Sequence, residues 1–195
     1  MTNPILRAGM FNKLVVLHVG CGPSPSAHFA ELFPAALWHE IKLDVDSSAR
    51  PDILASITDM GVVASGAVDA VYSSHNLEHL YAHEVGVALA EFRRVLKPVR
   101  ESTAVVRVPD LQRVAALVAE GNLDGEAFVS EMGPISPIDV IYGHRAHIAQ
   151  GNSFMAHKTG FTNRTLGEAM IKVGFNWVEV VRRGWDLLAT ARLME

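Results

Sequence analysis

The 195-residue sequence has few of the features that mark secreted, membrane-spanning or nucleic-acid-binding proteins. Cys21 is its only cysteine, so no disulfide can form within the chain, and a lone thiol suits a reducing compartment. The apolar run at Leu14–Val19 is far shorter than the ~20 residues of a membrane helix, and no cleavage site follows a charged start. The net charge of -4 gives no basic field for a phosphate backbone. We therefore expect a cytoplasmic protein whose partner is neither nucleic acid nor membrane.

Apolar residues are plentiful, and they alternate between short β-like runs and longer helical patterns. The hydrophobic content of 49% is enough for one substantial core. The predicted strands are Leu14–Val19, Trp38–Asp44, Val68–Ser74 and Thr103–Val108, and the predicted helices run from a cap at Ser24 or Ser26 to about Pro34, from Ala82 to Lys97 and from Asp110 to Gly121. Phe29, Leu32 and Phe33 share one side of the first helix. This alternation predicts an α/β fold with a parallel sheet covered by helices on both faces.

The last third of the chain departs from this rhythm. Residues 121–160 show little periodicity, and a connection of this length is more often functional than idle. Thr162 then caps a helix, and the runs Trp177–Val181 and Leu187–Ala191 form a hairpin pattern. We expect a single domain over residues 1–195 with a lid or insertion at about 121–160 and an antiparallel strand at the end of the sheet.

Two glycines interrupt the stretch LHVGCGPSPS directly after the first predicted strand. In a doubly wound sheet this turn lies at the carboxyl edge, where glycine lets the backbone approach a ligand and a helix N-terminus offers free N–H groups. The turn around Gly20 and Gly22 is therefore expected to bind a ribose, a phosphate or a carboxylate. The alternative is that these glycines only permit a tight turn.

An acidic residue at the end of the second strand favours the ligand-binding interpretation. Asp44 follows Gly20 by 24 residues, close to the ~20-residue spacing at which an acid accepts hydrogen bonds from ribose hydroxyls. Asp46 could share that role or serve as a turn residue. The dinucleotide fingerprint would require a third glycine where this chain has Pro25, which weakens the case for NAD.

Five segments, LHVGCG, LDVD, ITDM, VDAVYSSHNLEHL and FRRVLKP, occur in an order and spacing that resemble the class I S-adenosylmethionine-dependent methyltransferases. The similarity is strongest to their type-11-like group; it covers about Leu14–Pro109 and returns at GFTNRTLGEAMIKVGF and the final hairpin. The resemblance implies a Rossmann-like seven-stranded sheet of order 3-2-1-4-5-7-6 with an antiparallel seventh strand. It also implies methyl transfer from S-adenosyl-L-methionine to a small-molecule or sugar-like acceptor. A catalytically inactive binding module and, more remotely, an NAD-dependent reductase stay open as alternatives.

The same resemblance implies a set of cofactor-binding residues. The glycine turn would border the methionine and ribose portions, Asp44 would take the ribose hydroxyls, and Asp59 with Met60 would hold the adenine. Residues just past the fourth strand would line the pocket near the sulfonium. The full implied set is His18, Gly20, Cys21, Gly22, Asp44, Val45, Asp59, Met60, Ser74, His75 and Asn76.

His75 is the candidate catalytic residue. Because the sulfonium already activates the methyl group, the protein mainly aligns the acceptor and excludes water. A base could remove a proton from a hydroxyl or amine acceptor, and an imidazole titrates near neutrality. The alternative is that His75 is a pocket-wall residue that moves no proton. Glu78 and His79 are expected to fix the turn into the following helix.

Polar side chains of the insertion are candidates for acceptor binding. Tyr142, His144, Arg145 and His157, with Lys158, are the expected contacts, although any one of them could instead belong to a solvated loop. A metal site on His144, His147 and His157 is conceivable. No cysteine and no clear carboxylate partner completes that set, so we expect no metal.

Overall fold

The computed structural model describes residues 12–23, 27–130 and 133–193. Its strands, in chain order, are β1 Leu14–Val19, β2 Trp38–Asp44, β3 Ile53–Leu54, β4 Ala70–Ser74, β5 Thr103–Pro109, β6 Phe128–Ser130, β7 Gly133–Ile135, β8 Trp177–Arg183 and β9 Asp186–Arg192. The helices are α1 Ala27–Leu32, α2 Ala82–Val95, α3 Leu111–Ala119, α4 Pro137–Tyr142, α5 Arg145–Ala149 and α6 Asn163–Lys172. Short 3-10 turns occupy Ser47–Ala49, Leu77–His79 and Ser153–Met155.

Seven of these strands form one sheet in the order β3-β2-β1-β4-β5-β9-β8. β1 pairs in parallel with β2 and β4, and β4 pairs in parallel with β5. β9 is inserted between β5 and β8 and is antiparallel to both. The predicted doubly wound, mostly parallel, Rossmann-like sheet with an antiparallel C-terminal strand is confirmed.

The sheet is buried on both faces because alternate residues of its central strands enter two different clusters. Leu17 and Val71 pack in the main core with Phe92 of α2. Val16 and Tyr72 face the opposite side, where they meet Phe29 of α1. The strands therefore read as continuous apolar runs, which is why their positions could be predicted closely.

Some details of the elements differ from the prediction. Val68 makes an isolated bridge with Leu96 and precedes β4, so the strand begins later than expected. The same bridge draws Leu96 into an extended conformation, which ends α2 at Val95 ahead of Lys97. Leu32 is 37% exposed, whereas the helical pattern placed it beside the buried Phe29. The expected caps Ser24 and Ser26 lie outside the described residues.

The predicted helix caps at Asp110 and Thr162 are confirmed. The Asp110 carboxylate accepts hydrogen bonds from the N–H groups at the start of α3, and the Thr162 hydroxyl accepts one at the start of α6. Gly174 follows α6 with φ +99°, a conformation that favours glycine at a helix C-terminus. The sequence patterns therefore fixed the start of both helices correctly.

The segment 121–160 has structure of its own. It contains the β6–β7 hairpin, α4 and α5, and Ser136 and Asp139 cap α4 reciprocally. It contacts the sheet edge through two backbone bonds, from Lys158 N and Thr159 N to the carbonyl of Glu78 (2.8 and 3.1 Å). In the described ranges, no helix has the length and apolar character needed to cross a membrane.

Candidate cofactor site and acceptor cavity

The glycine turn after β1 has a conformation that favours glycine at two positions. Gly20 has φ +61° and Gly22 has φ +60°, both in the left-handed region that strains other L residues. Space is also limited at Gly20, where a Cβ atom would lie 2.4 Å from Nδ2 of Asn76. The backbone of the turn thus passes directly beside Asn76, the second residue after β4.

Asp44 orients this turn through both carboxylate oxygens. Oδ2 accepts from the N–H of Gly22 and Oδ1 from the N–H of Asp46, each at 2.9 Å. The side chain is buried, yet an ionised carboxylate offers about four acceptor positions, so these two bonds leave acceptor capacity for a ligand. The carboxylate of Asp46 instead accepts from Ser48 N at 2.8 Å, which favours the turn interpretation for Asp46.

Asn76 provides a donor next to the same turn. Its Nδ2 atom is buried, and no described residue accepts a hydrogen bond from it. A buried donor without a partner is costly, whereas a ligand oxygen at this point would satisfy it. Together, the orphan amide of Asn76 and the residual acceptor capacity of Asp44 fit a ligand with a ribose and an amino-acid end.

Three other predicted cofactor residues are placed less directly. The ring of His18 stacks on Phe29 with 4.5 Å between centroids, and Nδ1 lies 2.7 Å from Oε1 of Glu40. Burial lowers the pKa of His18 more than Glu40 raises it, so the ring is neutral at pH 7. Burial also raises the pKa of Cys21 to about 11, and Val45 is 54% exposed.

Side chains of α2 bond to the backbone of the segment that is predicted to bind adenine. Met60 is fully buried in the main core, and its N–H donates to Oε2 of Glu91 at 2.7 Å. Arg94 bonds to the carbonyl of Met60 at 2.9 Å and to Glu91. The exposed Asp59 accepts from Gly61 N at 3.3 Å. The structure therefore fixes this turn, while the adenine contact itself stays a prediction.

His75 follows Ser74 at the end of β4 in a strained conformation. Its φ is +49°, and its ring lies between two carboxylates, with Nδ1 3.3 Å from Glu78 and Nε2 3.6 Å from Asp186. Burial lowers the pKa of His75, but Asp186 and Glu78 outweigh that effect and raise the pKa to about 10. The side chain is 45% exposed, so solvent screening weakens both ion pairs. A proton-bearing ring is a poorer base than the sequence pattern suggested, and the general-base role stays a prediction.

Sequence reasoning missed Asp186 and Arg107. Nε of Arg107 donates to Oδ2 of Asp186 at 2.7 Å, which places this ion pair beside His75. Asp186 reaches β4 only because β9 pairs with β5, opposite Pro109. No local pattern around Asp186 contains that information.

A cavity of about 260 Å³ lies between the carboxyl end of β5 and the insertion. Its lining residues are Glu78, Pro109, Leu111, Val140, Ile141, Tyr142, His157, Lys158, Thr159, Gly160 and Phe161. The structure thus brings Tyr142, His157 and Lys158 of the predicted acceptor set to one cavity. His144 and Arg145 are not among the lining residues: the ring of His144 packs edge-on against His147, with 4.4 Å between centroids, and Arg145 bonds to Asp139 at 2.8 Å.

A second, more open cleft of about 610 Å³ lies between the 58–61 turn and α2. Asp59 and Glu91 line it, together with His83. Among the described residues, neither the glycine turn nor Asp44 contributes to its lining. We therefore place the chemistry at the carboxyl edge of the sheet, where the conformationally constrained residues meet.

Comparison with known proteins gives this arrangement a family. A family model described as a methyltransferase domain matches residues 17–99, the segment that runs from β1 through α2. This match over part of the chain, together with the seven-stranded fold, supports a class I S-adenosylmethionine-dependent methyltransferase family. S-adenosyl-L-methionine is the cofactor that this family implies, and the residues around Gly20, Asp44 and Asn76 fit it.

Solved structures have the same fold at low sequence identity. A methyltransferase from Archaeoglobus fulgidus is 14% identical, with a TM-score of 0.58 over 93% of this chain and 86% of that one. The 1,6-didemethyltoxoflavin-N1-methyltransferase of Burkholderia thailandensis, solved with 1,6-didemethyltoxoflavin and S-adenosylhomocysteine, is 16% identical, with a TM-score of 0.55 over 92% and 71%. An O-methyltransferase family protein of the same organism is 12% identical, with a TM-score of 0.60 over 93% of this chain and 51% of that one. No curated protein matches the sequence.

Proposed function

We propose that this methyltransferase transfers a methyl group to a small molecule bound in the cavity between β5 and the insertion. The observation that carries the proposal is the position of that cavity, which is lined by Glu78, a residue in ionic contact with His75. His75 directly follows Ser74 at the carboxyl end of β4. At about 260 Å³, the cavity suits a compact acceptor. The didemethyltoxoflavin methyltransferase, which binds its small molecule on the same fold, supports this acceptor class.

The proposed cofactor contacts divide between two ends of the ligand. S-adenosylmethionine supplies an electrophilic methyl group on a sulfonium when it is bound. Asp44 would accept from the ribose hydroxyls with the acceptor positions that Gly22 and Asp46 leave free. Asn76 would donate its buried Nδ2–H, and Asp59 would accept from the adenine amino group.

At the acceptor end, Tyr142, His157 and Lys158 are proposed to orient the small molecule. His144 and Arg145 are predicted contacts whose side chains contact other residues of the insertion, His147 and Asp139 respectively. Alignment of the acceptor with the S–CH3 bond supplies most of the catalysis. His75, between Glu78 and Asp186, is proposed to position the acceptor, or to accept its proton once its own has left.

The test of the proposal is methyl transfer from cofactor that carries a labelled methyl group. The protein is incubated with a cell extract that is afterwards separated into small-molecule and macromolecular fractions. We expect label in the small-molecule fraction, lost with Asp44→Ala and reduced with His157→Gln. Label confined to macromolecules would overturn the acceptor class. Tight cofactor binding without any transfer would instead favour a non-catalytic binding module.

Cytoplasmic location is the expectation that accompanies this proposal. The single cysteine, Cys21, is buried and its raised pKa keeps it a thiol, both of which suit a reducing compartment. Fractionation of cells that express the tagged full chain tests this expectation.

A further inference from the structure

A second group of side chains meets at the inner end of the acceptor cavity. Glu78 and His79 belong to the 3-10 turn after β4, and His157 belongs to the insertion. One ligand atom from each of the three lies within 4.8 Å of the others. Backbone hydrogen bonds bring these side chains together, because the N–H groups of Lys158 and Thr159 donate to the carbonyl of Glu78. We refer to these three residues as the Glu-His-His cluster.

Both histidines of the cluster are held in the same tautomer. Nδ1 of His79 lies 3.1 Å from the carbonyl oxygen of Ala156, and Nδ1 of His157 lies 2.7 Å from that of Val140. A carbonyl oxygen only accepts, so each Nδ1 carries the hydrogen, and a neutral ring then has its lone pair on Nε2. Metal-binding histidines are oriented in this way by a backbone carbonyl on the second nitrogen.

The carboxylate of Glu78 lacks the partners that its burial requires. The residue is 1% exposed, and no described residue donates a hydrogen bond of good geometry to either oxygen. Its ionic contact with Nδ1 of His75 is 3.3 Å long and is made by Oε1. A buried, under-coordinated carboxylate is costly unless a cation or donor completes its surroundings.

We propose that Glu78, His79 and His157 bind a divalent transition-metal ion, with Zn²⁺ as the reference case. Two imidazole nitrogens and one carboxylate oxygen form a ligand set used by zinc sites that keep an open fourth position. Glu78 and His157 also line the cavity of about 260 Å³, so the metal would lie at the wall of the space that the proposed function assigns to the acceptor. The sequence argued against a metal on His144, His147 and His157 because no cysteine and no clear carboxylate completed that set; the fold brings a carboxylate, Glu78, to His157.

The proposal is tested on the full chain without S-adenosylmethionine, so its outcome is independent of methyl transfer. Chelator-treated protein is dialysed against Zn²⁺ and the bound metal is measured, while thermal unfolding is followed with and without Zn²⁺. We expect one ion per chain and a higher unfolding temperature with metal, because a ligand that binds only the folded state stabilises it. His79→Gln, His157→Gln and Glu78→Gln should each weaken Zn²⁺ binding at least tenfold and abolish the thermal shift.

His83→Gln is the matched control. His83 lies exposed on α2 and offers an imidazole of the kind that binds metal non-specifically, so its replacement should leave the stoichiometry and the thermal shift unchanged. Equal loss in His83→Gln, or undiminished binding in the cluster variants, would overturn the proposal. Since each shift is measured against the same variant without metal, a lower basal stability does not imitate a lost site. Should the cluster variants fail to fold, an anomalous X-ray peak of Zn²⁺ among the three side chains would support the site, and its absence would refute it.

Discussion

The carboxylate of Asp44 accepts a hydrogen bond from the backbone N–H of Gly22, 2.9 Å away. This contact joins the acid at the end of β2 to the glycine turn at the end of β1. The expected ribose ligand and the turn therefore depend on the same side chain. Disturbing Asp44 should alter the shape of the turn as well as remove a ligand contact.

Asp44→Asn should weaken binding of S-adenosylhomocysteine at least tenfold, or ~1.4 kcal/mol. The amide can accept through only one oxygen, so its NH2 group must face either the N–H of Gly22 or that of Asp46. Hydrogen bonds to charged groups contribute about 1.5–3 kcal/mol, and we expect a loss of stability of that order in urea unfolding. Titration calorimetry measures the affinity.

Asp46→Asn is the matched control for this prediction. The carboxylate of Asp46 accepts only from the local turn at Ser48, so cofactor affinity should change little. If Asp46→Asn abolished binding while Asp44→Asn did not, the ribose assignment would move to Asp46.

Gly20→Ala should be more damaging than Gly22→Ala. Both substitutions incur ~1–2 kcal/mol for the left-handed backbone. Only the first also places a Cβ atom within 3 Å of three side-chain atoms of Asn76, since no atom of the described residues lies within 4 Å of the same position on Gly22. Overpacking of this kind adds about 1–3 kcal/mol.

A double-mutant cycle separates the two contributions. Asn76→Ala removes the obstructing amide, so it should recover stability in the Gly20→Ala background but none in the Gly22→Ala background. Unfolding free energies from urea titration give all four corners of each cycle. Equal effects in both backgrounds would show that backbone strain alone explains the glycines.

The fold was predictable where the information was local. A strand buried on both faces is a nearly continuous apolar run, and such a run bounded Leu14–Val19 correctly. The bounds of Trp38–Asp44, in which apolar and polar residues alternate, were also predicted correctly. Val68 was assigned wrongly because its apolar side chain belongs to the core whether or not it joins the ladder. Its bridge with Leu96 depends on where α2 ends, which no strand pattern encodes.

Only the part of the candidate site that lies in the turns after β1 and β2 could be predicted from the sequence. Gly20 and Asp44 could be predicted from their spacing after successive strands. In the structure, the carboxylate of Asp44 is hydrogen-bonded to the turn that contains Gly20. Asp186 reaches His75 through the pairing of β9 with β5, and His157 reaches Glu78 through the docking of the insertion. Those contacts form between residues far apart in sequence, so no window of sequence contains them.

Arg94→Met should loosen the turn that carries Asp59. Arg94 bonds to the carbonyls of Met60 and Val63 and to the carboxylate of Glu91. Methionine preserves the apolar stem but removes the guanidinium donor from all three acceptors; the carbonyl of Met60 and the carboxylate of Glu91 keep one backbone donor each. We expect a loss of about 1–3 kcal/mol. Cofactor affinity should fall too if the turn binds adenine.

The neighbouring Arg93→Met is its control. Nε of Arg93 makes one exposed bond, to the carbonyl of Gly174, so stability should change by less than about 1 kcal/mol. An Arg94→Met protein with lowered stability but normal affinity for S-adenosylhomocysteine would contradict the adenine assignment and leave the structural role intact.

The buried ring of His18 should make the fold sensitive to mild acid. Burial lowers the pKa of His18 below the 6.5 of an unfolded chain, so between these two values the unfolded state binds more protons. Stability therefore decreases as pH falls from about 6.5 toward the folded-state pKa, with a slope of at most ~1.4 kcal/mol per pH unit, and this contribution is constant below that pKa.

His18→Phe preserves a ring to stack on Phe29 and removes the titration, so its urea midpoint should depend less steeply on pH in this window. His157 also has a pKa lowered by burial and titrates in both proteins, so the difference between the two slopes isolates His18. Identical slopes would show that the His18 ring remains accessible to protons in the folded protein.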